Sequence, residues 1–256
     1  QAKGAVLADV LQQLVLVRVD GVDRRNTTAL SADIKGIWSF LTDGGTDQVM
    51  VNYGTKVAHS ASGNFTDLTG ITARTDGSRV YGMTMNNIAY GVSYDKPSFR
   101  WNGSSAADLG VTFGSGGNMP QAQYVAFWNN FAWVASTYES ATGYKYRVRW
   151  SSANDPETWA ANDYVDIDKG EHGDYITGLC PMGDRLLVFK TNSTYAIFGF
   201  DSDSFQVVTV SSTVGSVPLS SPVATPYGAF FWYADQGAYL YDGTNMVWLF
   251  PKIFPA

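Results

Sequence analysis

Seven carboxylates lie in one short stretch of the chain, from Asp155 to Asp174. They are the first candidates for functional side chains in this sequence. Lys169 is the only cation among them, so this stretch carries −6, equal to the net charge of the whole chain. Such oxygens can hold Ca²⁺ or form an acidic wall that repels a polyanion, although the spacing is not that of an EF-hand loop. The simpler interpretation is a pair of solvated loops. The candidates for an acidic wall are Asp163, Asp166, Asp168, Glu171 and Asp174.

A second motif overlaps the start of the acidic stretch. Residues 152–159 read S-A-N-D-P-E-T-W, which resembles the Asp-box turn S-x-D-x-G-x-T-W of propeller enzymes such as sialidases. Asn154 stands at the Asp position and Pro156 at the Gly position. The Asp-box is a folding device, in which side chains hydrogen-bond the turn backbone while the Trp packs on the sheet. The turn therefore indicates a fold and not a reaction; its motif residues are Ser152, Asn154, Thr158 and Trp159.

The sequence lacks the residues or the spacing that other common catalytic and metal-binding motifs require. The single cysteine, Cys180, excludes an internal disulfide and a cysteine-cluster metal site. The two histidines, His59 and His172, exclude a three-histidine metal site, and both are interpreted as turn residues. No G-x-S-x-G nucleophile elbow is present. We therefore predict a protein that is not an enzyme, with no catalytic residues, no metal ligands and no cofactor.

Composition indicates which elements must position these residues. Of the 256 residues 45% are hydrophobic and only 16% are charged, below the roughly 25% of ordinary globular domains. Gly, Ser, Thr, Asn and aromatic residues fill the difference, and they suit short strands and tight turns. The net charge of −6 argues against a basic nucleic-acid-binding face. No apolar run approaches the roughly 18 residues that cross a bilayer, so we expect no membrane insertion.

One pattern of two strands and their polar turns recurs five times along the chain. Corresponding residues in the first strand of each pair are about 40 to 55 residues apart. This period, with four short strands per unit, is typical of β-propeller blades, because stacked blades cover each other's faces. A β-sandwich is the main structural alternative. The corresponding positions are Val49, Ile88, Phe131, Leu186 and Phe230.

The fold class predicted is therefore all-β, a β-propeller of about five to six four-stranded blades over residues 33–256. Residues 1–32 do not fit the repeat and are predicted as an extended N-terminal arm or a blade-completing segment. Within them, Leu14–Val19 is predicted as a strand that either completes a blade or pairs with another subunit. The apolar C-terminal end, residues 247–256, is expected to dock. The chain begins at Gln1 without a signal-peptide pattern, so we expect that its first residues were removed or lie outside this sequence.

The order of the blade-forming phrases resembles a known family. Tyr146–Trp159 is followed by Tyr164–Ile167, by Gly183–Lys190 and by Phe230–Gly243. This series is similar to the propeller-type tail proteins of tailed bacteriophages, the hub or nozzle components below the portal. It covers residues 120–245 best and the first two repeats more loosely.

The resemblance implies a virion structural protein that is assembled in the host cytoplasm. Copies of the chain would form a ring, commonly a hexamer, around the DNA exit channel, in contact with the portal, adaptor and other tail proteins. Asp163, Asp166, Asp168, Glu171 and Asp174 would then line the channel, and DNA would pass without specific binding. The alternatives are a carbohydrate-binding propeller that recognises a receptor, or an Asp-box glycosidase, which would need three converging arginines.

Overall fold

The computed structural model describes residues 28–169, 173–217 and 222–249, and nearly all regular structure in them is β-strand. One 3₁₀ turn, Ala234–Gln236, interrupts the strands. No helix of the described part has the length and apolar character to cross a bilayer. Residues 1–27 of the predicted arm, Glu171, His172 and the last seven residues lie outside the described residues.

The chain divides into two compact units. The first holds the described residues up to Gly91 together with Phe99–Asp108. It contains two four-stranded antiparallel sheets, sheet 1 (β1–β4) and sheet 2 (β5–β8), each in sequence order. The strands are β1 Ile34–Leu41, β2 Asp47–Tyr53, β3 Lys56–Ser60, β4 Thr66–Asp67, β5 Tyr81–Met85, β6 Ile88–Val92, β7 Phe99–Trp101 and β8 Ala106–Asp108.

The second unit holds Val92–Ser98 and the described residues from Leu109 onward. It contains three further sheets of the same order: sheet 3 (β9–β12), sheet 4 (β13–β16) and sheet 5 (β17–β20). The strands are β9 Gln121–Trp128, β10 Phe131–Glu139, β11 Thr142–Trp150, β12 Tyr164–Asp166, β13 Ile176–Met182, β14 Arg185–Lys190, β15 Thr194–Phe198, β16 Gln206–Ser211, β17 Val223–Thr225, β18 Gly228–Tyr233, β19 Gly237–Tyr241 and β20 Met246–Trp248.

The predicted repeat is confirmed strand by strand. All five corresponding positions, from Val49 to Phe230, lie in the second strand of their sheets. Asn86 and Asn87 join the first two strands of sheet 2 with positive φ angles of 52° and 61°. Two-residue hairpins require this conformation, and asparagine adopts it more easily than most residues. The Asn86–Asn87 turn therefore fixes where β5 ends and β6 begins.

Apolar side chains join neighbouring sheets within each unit. In the first unit, Phe40 and Met50 of sheet 1 pack with Ala89 and Phe99 of sheet 2. In the second unit, Leu187 and Phe189 of sheet 4 belong to one cluster with Phe231 and other residues of sheet 5. Central strands that are covered on both faces have nearly continuous apolar sequences. This explains why polar and apolar residues alternate only weakly along them.

Gly36 marks a close approach of two first strands, β1 and β5. A Cβ atom at this position would lie 2.2 Å from the carbonyl oxygen of Val80. Since the obstacle is backbone, we expect Gly36→Ala to lower the free energy of unfolding by about 1–3 kcal/mol. Urea denaturation followed by tryptophan fluorescence measures this loss.

Gly44 provides the matched control in the first unit. A Cβ atom there would meet only the Thr42 hydroxyl, at 3.8 Å. Gly44→Ala should therefore stay within about 0.5 kcal/mol of the parent protein. Equal losses in the two variants would show that the strand contact at Gly36 does not limit stability.

Candidate functional site

The predicted acidic residues lie on and around β12, the fourth strand of sheet 3. Asp163 precedes this strand, Asp166 ends it and Asp168 follows it. Asp174 lies just before β13, and Glu171 lies outside the described residues. The structure therefore places the described candidates along the junction of sheets 3 and 4, within the second unit.

Asp166 belongs to a network with two buried arginines. Arg147 and Arg149 alternate along β11 and therefore point to the same face of the sheet. Arg147 holds Asp166 through two hydrogen bonds, Nε–Oδ1 at 2.7 Å and Nη2–Oδ2 at 3.0 Å. Arg149 holds Glu139 in the same way, at 2.7 and 2.8 Å, and Glu139 also accepts from Arg147 at 3.1 Å. Two cations thus meet two carboxylates, and the network has no net charge.

Aromatic rings cover the two guanidinium groups of this network. The Arg147 guanidinium carbon lies 3.9 Å from the ring centres of both Tyr144 and Tyr164. The corresponding carbon of Arg149 lies 4.1 Å from the ring of Phe113. Cation–π contacts of this kind stabilise a desolvated arginine. Only 7% of Arg147 and 2% of Arg149 is exposed, so neither side chain is presented to a ligand.

The pKa values of the network follow from its geometry. Burial raises the pKa of Glu139, but hydrogen bonds from Arg149 and Thr137 and the charges of both arginines outweigh burial, so the net shift is downward. Hydrogen bonding to Asp166 raises the pKa of Arg147. Both groups are therefore held in their charged forms. The arrangement braces sheet 3 and supplies no free acid or base.

Asp163 and Asp168 are bound less tightly. Burial raises the pKa of Asp163, and the charge of Asp203 adds to the rise, while Arg149 opposes it. Asp168 is exposed and accepts a hydrogen bond of 2.7 Å from the Tyr195 hydroxyl. Burial and then this hydrogen bond raise the pKa of Tyr195. Asp168 is therefore the candidate whose carboxylate lies most openly at the surface.

An open groove of about 300 Å³ lies beside Asp168. Sheet 3 contributes one wall through β12 and the residues after it, and sheet 4 contributes the other through β15 and β16. The two walls combine carboxylates, a phenol and aliphatic side chains. The lining residues are Val165, Asp166, Ile167, Asp168, Tyr195, Val207 and Thr209.

Asp174 belongs to a buried pair with Lys190. The fully buried Lys190 ammonium lies 3.6 Å from a carboxylate oxygen of Asp174. It also donates to the main-chain oxygens of Ile167 and Asp168, both at 3.4 Å. Asp174 in turn accepts from the Asn192 amide at 2.7 Å. The pair ties the connection after β12 to sheet 4.

Metal binding finds no geometric support in the part of the chain that the structure describes. No group of three or more His, Cys, Asp or Glu side chains there is arranged to hold an ion. His59 differs from its prediction as a turn residue: it lies in β3, with its ring 4.5 Å from that of Trp101. Burial lowers its pKa, which favours the neutral form. Cys180 is buried, and burial raises its pKa to about 12, so its thiol is unreactive.

The Asp-box-like turn is held by internal hydrogen bonds and also hydrogen-bonds the glycine-rich loop that contains Gly114 and Gly116. The Ser152 amide donates to Thr158 at 2.8 Å, and the buried Trp159 indole donates to Pro156 at 2.9 Å. Gly114 and Trp159 exchange two main-chain hydrogen bonds, at 2.9 and 3.0 Å. The Thr158 hydroxyl accepts from the Gly116 amide at 3.2 Å. The turn therefore anchors the loop that leads into sheet 3.

Asp155 supplies a carboxylate that caps this turn. Its Oδ1 accepts from the Glu157 amide at 3.0 Å. Asn154 instead has a positive φ of 58°, and its amide donates to the Asn130 carbonyl at 2.7 Å.

Removing this carboxylate should loosen the turn. We expect Asp155→Ala to lower the free energy of unfolding by about 1 kcal/mol, as is typical when a backbone N–H loses its side-chain cap. Asp155→Asn is the control, because its side-chain oxygen can still accept from the Glu157 amide, and its effect should be smaller. Thermal unfolding by circular dichroism compares the two variants; an equal loss in both would contradict the assignment.

The comparisons with known proteins bear on the fold alone. No protein-family model matches the chain, and no curated protein matches its sequence. Solved structures do match: the computationally designed Ika8 protein has a TM-score of 0.56 at 10% identity, covering 88% of this chain and 64% of that one. The WD40 domain of Neurospora crassa Pan2 has a TM-score of 0.55 at 10% identity, covering 88% and 67%. YCF48 bound to D1 peptide has a TM-score of 0.54 at 9% identity, covering 86% and 71%.

The chain spans about two thirds of the length of these structures. WD40 domains are β-propellers built from four-stranded blades. With its five four-stranded sheets, this chain is therefore all-β and of the β-propeller class, as the repeat predicts. The comparisons assign it no ligand, partner or activity.

The Glu139–Arg149 half of the charged network was not predicted from the sequence. A usable signal was present, since Arg147 and Arg149 alternate on a strand and must share a face. Their partner Glu139 ends the preceding strand, opposite Thr142 of β11. A regular hairpin register would not have placed Glu139 beside the two arginines, because the pairing of β10 with β11 shifts register between Ala135 and Thr137.

Proposed function

We propose that this protein is a virion structural component of a bacteriophage tail, hub- or nozzle-like, whose copies form a ring around the DNA exit channel. The series of blade-forming phrases from Tyr146 to Gly243 supports the proposal, and the propeller class agrees with it. In this proposal the partners are further copies of the chain, six being the common number, and the portal, adaptor and other tail proteins. The site of action is the virion, after assembly in the host cytoplasm, without membrane insertion.

A structural role is supported mainly by the pairing of buried cations with carboxylates. Arg147, Arg149 and Lys190 are each held by carboxylates of the same unit. Such pairs brace neighbouring strands, and a tail component must remain rigid while DNA passes. A net charge of −6 also leaves no general attraction for phosphate, since DNA binding requires lysines and arginines that release counterions.

The carbohydrate-binding alternative draws on exposed aromatic residues. Trp232 and Trp248 of sheet 5 are 41% and 40% exposed, and exposed indoles are suited to stack on sugar rings. Binding on a glycan array that is lost in Trp248→Ala would favour this alternative. A glycosidase needs arginines converging on a substrate carboxylate, and here Arg147 and Arg149 converge on Glu139 instead.

Particle images test the proposed function directly. The purified full chain is examined by mass photometry and by negative-stain electron microscopy over a range of concentrations. We expect closed particles with cyclic symmetry and a central opening. A monomer at every concentration would contradict a ring-forming role, whatever its glycan binding.

A further inference from the structure

β16 differs from the fourth strands of the other four sheets. Those strands are β4, β8, β12 and β20, with only two or three residues each, and the first three carry an aspartate. Short length and charge are the usual means by which proteins protect a sheet edge from further pairing. β16 has six residues, Gln206–Ser211, and no charge. It therefore lacks both protections.

Both faces of β16 are also open. Val207 is 37% and Val208 is 49% exposed, and adjacent residues of a strand point to opposite faces. Among the described residues, β16 pairs only with β15, so its outer edge is the edge of sheet 4. A strand with these properties is suited to accept one more strand through main-chain hydrogen bonds.

The groove beside β16 indicates the chemistry of the strand that would be added. Val207 and Thr209 line it from β16, and Asp166 and Asp168 line it from the opposite wall. Arg147 neutralises Asp166, which leaves the exposed Asp168 as the carboxylate available to a cation. The added strand should therefore place a basic side chain on the groove face and aliphatic side chains on the face of Val208.

Residues 14–19 of the same sequence have this pattern. They read L-V-L-V-R-V; in an extended strand, Leu14, Leu16 and Arg18 would share one face and the three valines the other. Eight residues separate Val19 from Thr28, where the described structure begins, and eight extended residues span about 26–29 Å. The segment thus has the side-chain pattern that the edge of β16 requires, and a linker of eight residues joins it to Thr28.

We propose that residues 14–19 of a second copy of this chain pair with β16 as a fifth strand of sheet 4, with Arg18 facing Asp168. The proposal rests on the ring-forming role proposed above and names the surface that joins neighbouring copies. Exchange of an arm between neighbours is a head-to-tail contact, which closes into a ring when the rotation permits.

Cross-linking between copies tests the strand exchange in the full chain. One preparation carries Thr209→Cys and a second, of different mass, carries Leu16→Cys; they are mixed and treated with a short bismaleimide. Cys180 is buried and has a raised pKa, so it should not compete. In the control, Val223→Cys, which replaces a valine 56% exposed on sheet 5, takes the place of Thr209→Cys.

We expect the Thr209 pair to give at least about ten times more mixed cross-link than the control pair, and Val208→Lys to remove that excess by charging the edge. Val223→Lys, at a similarly exposed valine, should leave the cross-link unchanged. Equal yields in the two pairs would overturn the proposal. So would a cross-link that forms only within a chain carrying both cysteines, because the segment would then serve its own sheet.

The two proposals can fail separately. Rings in electron micrographs without the Thr209 cross-link would retain the proposed function and reject β16 as the contact. A cross-link between copies that form no closed particle would retain the strand exchange and reject the ring.

Discussion

Replacing Glu139 by alanine should produce one of the two largest losses of stability available to a single substitution here. Glu139 accepts hydrogen bonds from both Arg149 and Arg147. Without it, Arg147 keeps Asp166, but the only hydrogen-bond acceptors left to the buried Arg149 among the described residues are the main-chain oxygens of Ala160 and Ala161, at 3.4 and 3.1 Å. An uncompensated buried charge costs about 3–5 kcal/mol, and we expect urea denaturation at neutral pH to show a loss of this size.

The matched control is a carboxylate–arginine pair at the surface. Asp184 holds Arg185 at 2.7 Å, but its side chain is 71% exposed. Solvent screens such a pair, so Asp184→Ala should cost no more than about 0.5 kcal/mol. Similar losses at Asp184 and Glu139 would show that water reaches the network and that burial does not set its energy.

The same network predicts a pH dependence. The pKa of folded Glu139 lies below its ordinary value of 4.5, so the carboxylate contributes stability above that value. This contribution disappears as the pH falls through the folded-state pKa, because the proton then binds both the folded and the unfolded chain. The difference in unfolding free energy between the parent protein and Glu139→Ala should therefore narrow below pH 4.5. A constant difference between pH 7 and pH 3 would contradict the pairing.

The fold could be predicted because its determinants are local. Asn86 and Asn87 adopt the positive φ that their hairpin requires, and Val49, Ile88 and Phe131 fall at the same place in successive meanders. The five four-stranded sheets of the described residues follow this repetition. The division into two compact units does not, because it depends on contacts between residues far apart in sequence, such as Phe40 with Phe99.

The site could be predicted only in part, since charge density does not reveal pairing. The acidic stretch was found by counting, but the count could not show that Asp166 binds Arg147 or that Asp174 binds Lys190. Those contacts depend on strand register and on packing between sheets. An acidic wall along the channel remains a prediction, for which Asp168 is the most exposed described candidate on β12 or the residues that follow it.

Trp133→Ala should match Glu139→Ala in size through a different mechanism. Trp133 is fully buried, and its indole donates to the Trp128 carbonyl at 3.0 Å. Its ring centre lies 5.5 Å from that of Trp150 and 4.8 Å from that of Phe205. Because Phe205 lies in the loop between β15 and β16, the cluster joins sheet 4 to sheet 3. Truncation opens a cavity and frees this loop, at a cost of about 3–5 kcal/mol.

Two readouts separate loss of the cavity contacts from loss of the connection between sheets. Urea denaturation gives the total loss, and hydrogen exchange reports whether the amides of residues 199–205 open in the folded protein. Phe200→Ala is the control from the same loop, since Phe200 is 87% exposed and its removal should change stability by less than about 0.5 kcal/mol. A loss below about 1 kcal/mol for Trp133→Ala would mean that the neighbouring rings collapse into the space. The proposed assembly needs sheets 3 and 4 to form one rigid surface beside β16. If Trp133→Ala speeds hydrogen exchange at residues 199–205, it should therefore also weaken the cross-link between the Thr209→Cys and Leu16→Cys copies.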